Sequence, residues 1–187
     1  MQTLRQAALD ARRHLDEETR ARASSRIQHR FLNSSLFFRA SSIGCYIASP
    51  LEVDTSLVFD RAWRAGKRIY APVIARDGNM RFVETRPSTR IVRNRFGIWE
   101  PETGDGILAQ NLPIVVTPTV AFDESKQRIG MGGGYFDRAF RTLKNKRSWL
   151  PTKLVGFAFH CQEVEKIPAN PWDIPLYRVI TEHETKL

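Results

Sequence analysis

Apolar residues first recur at helical spacing, with Leu4, Ala8, Ala11 and Leu15 on one face. Asp16 can cap a second helix whose first turn holds Glu17 and Glu18, where the helix dipole favours acids; Ala23, Ile27 and Phe31 carry its apolar stripe. The chain therefore opens with a helical pair. The period then changes. Ser42 to Ala48 is a short, nearly continuous apolar run stopped by Pro50, the pattern of a buried strand. Asp54 or Thr55 can cap a helix carrying Leu57, Val58, Arg61, Ala62 and Ala65, which Gly66 ends. Lys67 to Val73 reads as a second strand, and strand, helix and strand at this spacing predict a parallel pair.

Met80 to Glu84 alternates like an edge strand. Residues 86–112 hold Pro87, Gly97, Pro101, Gly104 and Gly106, so loop with one helical turn is expected. Pro113 to Pro118 is a third buried strand, followed by a glycine-rich stretch and a helix. Lys153 to Phe159 gives a fourth strand and Tyr177 to Thr181 a fifth. This alternation defines the α/β class: a single open, mainly parallel sheet with helices on both faces, in three layers. The 187 residues, 42% apolar and 26% charged, suit one domain spanning 1–187. No eighteen-residue apolar run and no apolar core in the first thirty residues occur, so neither a membrane span nor a secretory signal is expected. A cytoplasmic monomer is the expectation.

Composition adds two constraints. The only cysteines, Cys45 and Cys161, lack CxxC spacing and read as buried reduced thiols; on a strand His160 and Cys161 would point to opposite faces, which argues against thiol catalysis. The net charge of +9 is compatible with nucleic acid, an anionic surface or small polyanions. The basic residues are scattered among acids along the first segment, and the run from Arg138 to Arg147 has no interleaved aromatic platform. Neither a nucleic-acid nor a membrane partner is therefore expected.

Four of the eleven glycines lie between Gly130 and Gly134, in Arg128-Ile129-Gly130-Met131-Gly132-Gly133-Gly134-Tyr135-Phe136-Asp137. Phe136, Ala139, Phe140 and Leu143 then follow helical spacing. A glycine-rich loop that opens a helix can turn N–H groups towards an anion, phosphate above all. The stretch lacks the Gly-Lys-Ser/Thr ending of a P-loop and the third glycine of a dinucleotide fingerprint. A tight turn would need fewer glycines. Asp137, one turn into the helix, would repel phosphates unless a cation such as magnesium bridges them; alternatively it compensates the helix dipole or pairs with Arg141.

With these residues in place, the sequence resembles the 5-formyltetrahydrofolate cyclo-ligase family. Leu4-Arg5, Glu52-Val53-Asp54-Thr55, the strand Gly66 to Val73, Gly97-Ile98-Trp99-Glu100-Pro101, Thr117-Pro118 with Ala121-Phe122-Asp123, the core Arg128 to Arg138, Gln162, Asp173 and Val179-Ile180-Thr181 match its motifs in order along nearly the whole chain. The resemblance implies ATP-dependent closure of 5-formyltetrahydrofolate, including its polyglutamyl forms, to 5,10-methenyltetrahydrofolate. It implies that Arg5 and Arg128, with Ile129, Gly130, Met131, Gly132, Gly133, Gly134, Tyr135 and Phe136, hold ATP, with Arg128 and Tyr135 acting in catalysis. It implies that Glu52 orients the pterin, that Met131 to Tyr135 border both ligands, and that Asp137 and Asp173 hold Mg2+. Two positions depart from the family: Met1-Gln2-Thr3 stands where a lysine usually precedes Leu-Arg, and Met131 stands where a basic residue is common.

Taken singly, these residues have plainer readings. Arg5 suits a solvated helix face, Glu52 a surface, Trp99 and Trp172 packing, and Asp173 a turn. Three other functions compete: a sugar-phosphate isomerase or acyl-transfer enzyme without nucleotide dependence, a basic nucleic-acid-binding protein, and a family member that binds folate without turnover.

Overall fold

The computed structural model describes residues 1–75, 78–102, 104–144, 152–170 and 173–186, with 142–144 in backbone only. Helices α1 (Gln2–Arg13) and α2 (Glu17–Leu32) form the expected pair, and the Asp16 carboxylate caps α2 by accepting the Thr19 N–H at 2.7 Å. A short α3 (Ser35–Arg39), capped by Ser34, follows. Strand β1 (Ser42–Cys45), helix α4 (Ser56–Arg64) and strand β2 (Arg68–Ile74) make the parallel unit, with Ile43 opposite Ile69. Next come β3 (Met80–Thr85), β4 (Ile91–Arg93), β5 (Trp99–Pro101), β6 (Gly106–Ile107) and a 3₁₀ turn at Ala109–Asn111. Then β7 (Ile114–Pro118), β8 (Ala121–Phe122) and β9 (Arg128–Ile129) lead into α5 (Tyr135–Lys144). Strand β10 (Lys153–Phe157), a 3₁₀ turn at His160–Gln162, β11 (Arg178–Ile180) and β12 (Thr185–Lys186) close the described chain.

The main sheet runs β12-β11-β10-β7-β1-β2-β3-β6. Its five middle strands are parallel, and β12, β3 and β6 join antiparallel at the two sides. Alternate residues feed two cores, because successive strand side chains point to opposite faces. Ile43, Cys45, Ile69, Ala71, Ile114, Val116, Val155 and Phe157 face α2, α3 and α4. Tyr70, Val115, Leu154 and Val179 face the other way, onto Phe140 of α5 and Leu112. The three-layer expectation holds.

Several expectations change in detail. β1 stops at Cys45, short of Ala48. β3 is not at the edge, because Phe82 and Val83 pair with β6. Residues 86–112 contain the expected helical turn but also the β4–β5 hairpin. Asn94 shapes its loop: its side-chain oxygen accepts the N–H groups of Phe96 at 2.9 Å and Ile98 at 3.1 Å, and Gly97 takes a φ of +75°. Cys161 is exposed, unlike Cys45, because it sits on the 3₁₀ turn rather than on a strand. Trp172 and residues 145–147 of the basic run lie outside the described residues.

Gln162, 1% exposed, ties the end of β10 to the chain after β7. Its carbonyl oxygen accepts the Phe159 N–H at 2.9 Å, and its amide donates to the Thr119 and Val120 carbonyls at 2.9 and 2.6 Å. Gln162→Ala strands three buried backbone groups and should cost about 1–3 kcal/mol. Urea unfolding should show a lower midpoint at unchanged slope; an unchanged midpoint would remove this role.

Candidate active site

From β1 the chain runs through α4 to β2 on one side, and from β7 through α5 to β10 on the other. Neighbouring strands whose connections leave in opposite directions open a crevice at their carboxyl ends, where α/β sheets bind ligands. A cavity of about 780 Å³ lies there. Its wall takes Tyr46 and Glu52 after β1, Ile74 at the end of β2, Pro118 and Val120 at and after the end of β7, the hairpin loop, and the whole run from Arg128 to Asp137.

The glycine stretch is shaped for close approach. Gly132 and Gly134 have φ of +105° and +65°, a region that side-chain-bearing residues avoid. A Cβ on Gly133 would come within 2.9 Å of the Tyr135 ring. Arg5 reaches across from α1, its Nε donating to the Gly130 carbonyl at 2.9 Å. It therefore braces the loop rather than lying on a solvated helix face. Tyr135, Phe136 and Asp137, the first turn of α5, reach the cavity wall, where the helix dipole favours anions.

Arg128 is the buried charge of this end, its side chain only 4% exposed. It donates to Asp137, lies 5.7 Å from the Phe140 ring, and has no hydrogen-bond partner at Nε among the described residues. Burial pulls its pKa down, while the charges of Asp137 and Asp173 raise it. Asp137 thus pairs with Arg128, not with Arg141. Asp173 also lines the cavity, and its Oδ2 accepts the Asn170 N–H at 2.8 Å.

Glu52 follows the end of β1 and lines the same cavity. Glu52 accepts the Ser49 N–H at 2.9 Å, and burial pushes its pKa up against the pull of that bond and of Arg12. Glu52 is thus half-buried in the cavity wall rather than on the open surface. The buried Tyr46 hydroxyl donates to the Val53 carbonyl at 2.7 Å.

Every site residue expected from the sequence lines this one cavity: Arg5, Glu52, the run Arg128 to Asp137, and Asp173. Sequence reasoning missed Arg12, Tyr46, Asn94, Phe96 and Ile98. Arg12 had a signal: it lies seven residues, about two helical turns, after Arg5 and so shares its face. The Phe96 and Tyr135 rings lie 5.7 Å apart, and the Arg138 guanidinium lies over the Tyr135 ring, 4.7 Å from its centre. Trp99 lines the cavity as well as packing under Arg93. Outside the cavity, His160, Glu163 and Glu184 cluster within 4.8 Å, but the Lys186 ammonium already lies 2.7 Å from Glu163 and 3.5 Å from Glu184.

Fold and cavity together define an α/β protein with a crevice at the carboxyl ends of two neighbouring parallel strands, beside a glycine-rich helix entry. Solved structures share the fold: a 5,10-methenyltetrahydrofolate synthetase of Aquifex aeolicus superposes with a TM-score of 0.83 at 27% identity, covering 99% of this chain and 91% of that one. A synthetase of Mycoplasma pneumoniae does so with a TM-score of 0.75 at 20% identity, covering 97% of this chain and 98% of that one. The 5-formyltetrahydrofolate cyclo-ligase of Escherichia coli K12 is 38% identical over 174 residues, 91% of this chain and 93% of that protein. Residues 1–182 match the sequence model of the 5-formyltetrahydrofolate cyclo-ligase family, and the chain belongs to that family.

Gly132→Ala forces a side chain into a φ of +105° within 3.5 Å of the Arg5 guanidinium, strain worth about 1–3 kcal/mol. If the loop cradles phosphate, calorimetric titration with ATP should show affinity reduced about tenfold or more. Wild-type affinity in this variant would mean that the loop does not touch the nucleotide.

Proposed function

We propose that this chain converts 5-formyltetrahydrofolate and ATP to 5,10-methenyltetrahydrofolate, ADP and phosphate in the cavity described. One observation carries the reading. A helix-entry glycine loop with Arg5, Arg128, Asp137 and Asp173 stands at one cavity, with the half-buried Glu52 carboxylate after β1 in its wall. Together these suit a triphosphate and an uncharged heterocycle held side by side.

The formyl oxygen attacks the γ-phosphorus and ADP departs. N10 of the folate then attacks the activated carbon, N10 loses its proton, and phosphate leaves with the former formyl oxygen. Substrate supplies the nucleophile at both steps, so the protein has only to align reactants and offset charge. Arg5 and the Gly130–Gly134 backbone hold the triphosphate, and Arg128 balances charge developing on the γ-phosphoryl. Tyr135, against Phe96, bounds the place where nucleotide and folate meet. Glu52 accepts from the N–H edge of the pterin.

Asp137 and Asp173 fit magnesium: two hard oxygen donors beside an anion-binding loop, both close enough to raise the Arg128 pKa. Magnesium there would neutralise phosphate charge and orient the leaving group. The net charge of +9 suits a polyglutamyl folate tail. No described helix is long and apolar enough to cross a membrane, and the cytoplasm is the proposed compartment.

Purified protein mixed with 5-formyltetrahydrofolate, Mg2+ and ATP should show a rise in near-UV absorbance from the methenyl product. The rise should require ATP and magnesium, and Asp137→Ala should slow it on the order of a hundredfold or more. A rise without ATP, or none with it, would overturn the reading.

A further inference from the structure

Arg12 is 5% exposed and lines the cavity; its side chain makes no ion pair among the described residues, and its buried Nε has no hydrogen-bond partner there. A guanidinium carries five donors and no acceptor, and burying it without partners is costly. The acid facing it is Glu52, the neutral Tyr46 phenol lies nearby, and Arg13 and Arg20 add repulsion. Glu52 and Arg12 influence each other's titration yet do not meet in an ion pair. Glu52 instead spends one oxygen on the Ser49 N–H. The cavity wall thus presents a half-buried acceptor, Glu52, and a buried, incompletely bonded donor, Arg12, close enough to feel each other's charge.

That pattern selects among the polar parts of a folate. The glutamate tail is anionic and would meet Glu52 unfavourably in a desolvated place. A 2-amino-4-oxopteridine instead offers an uncharged edge: an exocyclic amine and ring N–H as donors, and a carbonyl oxygen beside them as acceptor. We propose that Arg12 is a specificity residue of this cavity, donating to the ring carbonyl oxygen of a 2-amino-4-oxopteridine whose N–H edge Glu52 holds. The assignment rests on the folate reading above. It also accounts for a buried cation that the fold does not use: the ligand completes its hydrogen bonds, and its positive charge keeps Glu52 an acceptor.

A 4-aminopteridine analogue separates this role from a structural one, because it replaces the carbonyl acceptor by a donor. Dissociation constants of 5-formyltetrahydrofolate and of the 4-amino analogue would be measured for the wild type, Arg12→Met and Arg12→Lys, with kcat and KM for the natural substrate. Arg12→Met should weaken the 4-oxo ligand about ten- to a hundredfold, leave the 4-amino analogue unchanged or tighter, and raise KM while kcat stays within a few fold. Arg12→Lys, which keeps the charge but loses the fork, should fall between, and it carries the test if the methionine variant does not fold. Equal effects on both ligands, or none, would overturn the assignment. So would a loss that disappears for a ligand lacking the glutamate tail, since Arg12 would then be holding a carboxylate. If the wild type binds no folate at all, the proposed function itself fails, a result distinct from unaltered discrimination in the variants.

Discussion

The divergence of chain connections from the parallel neighbours β1 and β7 is the constraint on which the rest of this molecule depends. Both strands are buried on both faces, so neither can carry polar chemistry along its length. Their connections diverge towards β2 and β10, and the loops that follow them are kept apart by the sheet itself. Tyr46 and Glu52 leave one side of that gap, and Val120 and the glycine stretch leave the other. The cavity is therefore a consequence of strand order, while its chemistry belongs to the loops.

Within the gap the protein buries two guanidinium groups in different ways. Arg128 has a carboxylate partner in Asp137 and two aromatic neighbours, yet its Nε has no partner among the described residues. Arg12 makes no ion pair among them and depends on the charge of Glu52. In each case burial opposes the charged form and a nearby acid supports it. Polar groups held this way favour a ligand that completes them, which is how a cavity with a largely apolar core can still select its occupant. Arg5 contributes differently, since its bond to Gly130 fixes the loop backbone.

Much of this was readable along the chain. Short, nearly continuous apolar runs placed the parallel strands, and the alternation of strands and helices gave the layers. The glycine run marked the helix entry. Single-residue reasoning placed Arg5 and Glu52 at the surface, and only their motif context drew them to a site, because burial across 125 residues of separation leaves no local trace. The β4–β5 hairpin was hidden by its prolines and glycines: it is held by Asn94 side-chain bonds and by Glu100, which accepts from Asn94 at 2.8 Å. Arg12 was legible only as one of many scattered charges until α1 set it on the face of Arg5. The exposure of Cys161 followed from a 3₁₀ turn that an apolar run does not announce.

The central claim is that the formyl oxygen is the atom phosphorylated, with the protein acting by position and charge. It is tested most directly with 5-formyltetrahydrofolate labelled with heavy oxygen in the formyl group, turned over with unlabelled ATP and analysed by mass spectrometry of the released phosphate. Transfer of the label into phosphate, one atom for each methenyl product formed, is the predicted result. Unlabelled phosphate formed alongside methenyl product would show that ATP is consumed elsewhere and would contradict the account.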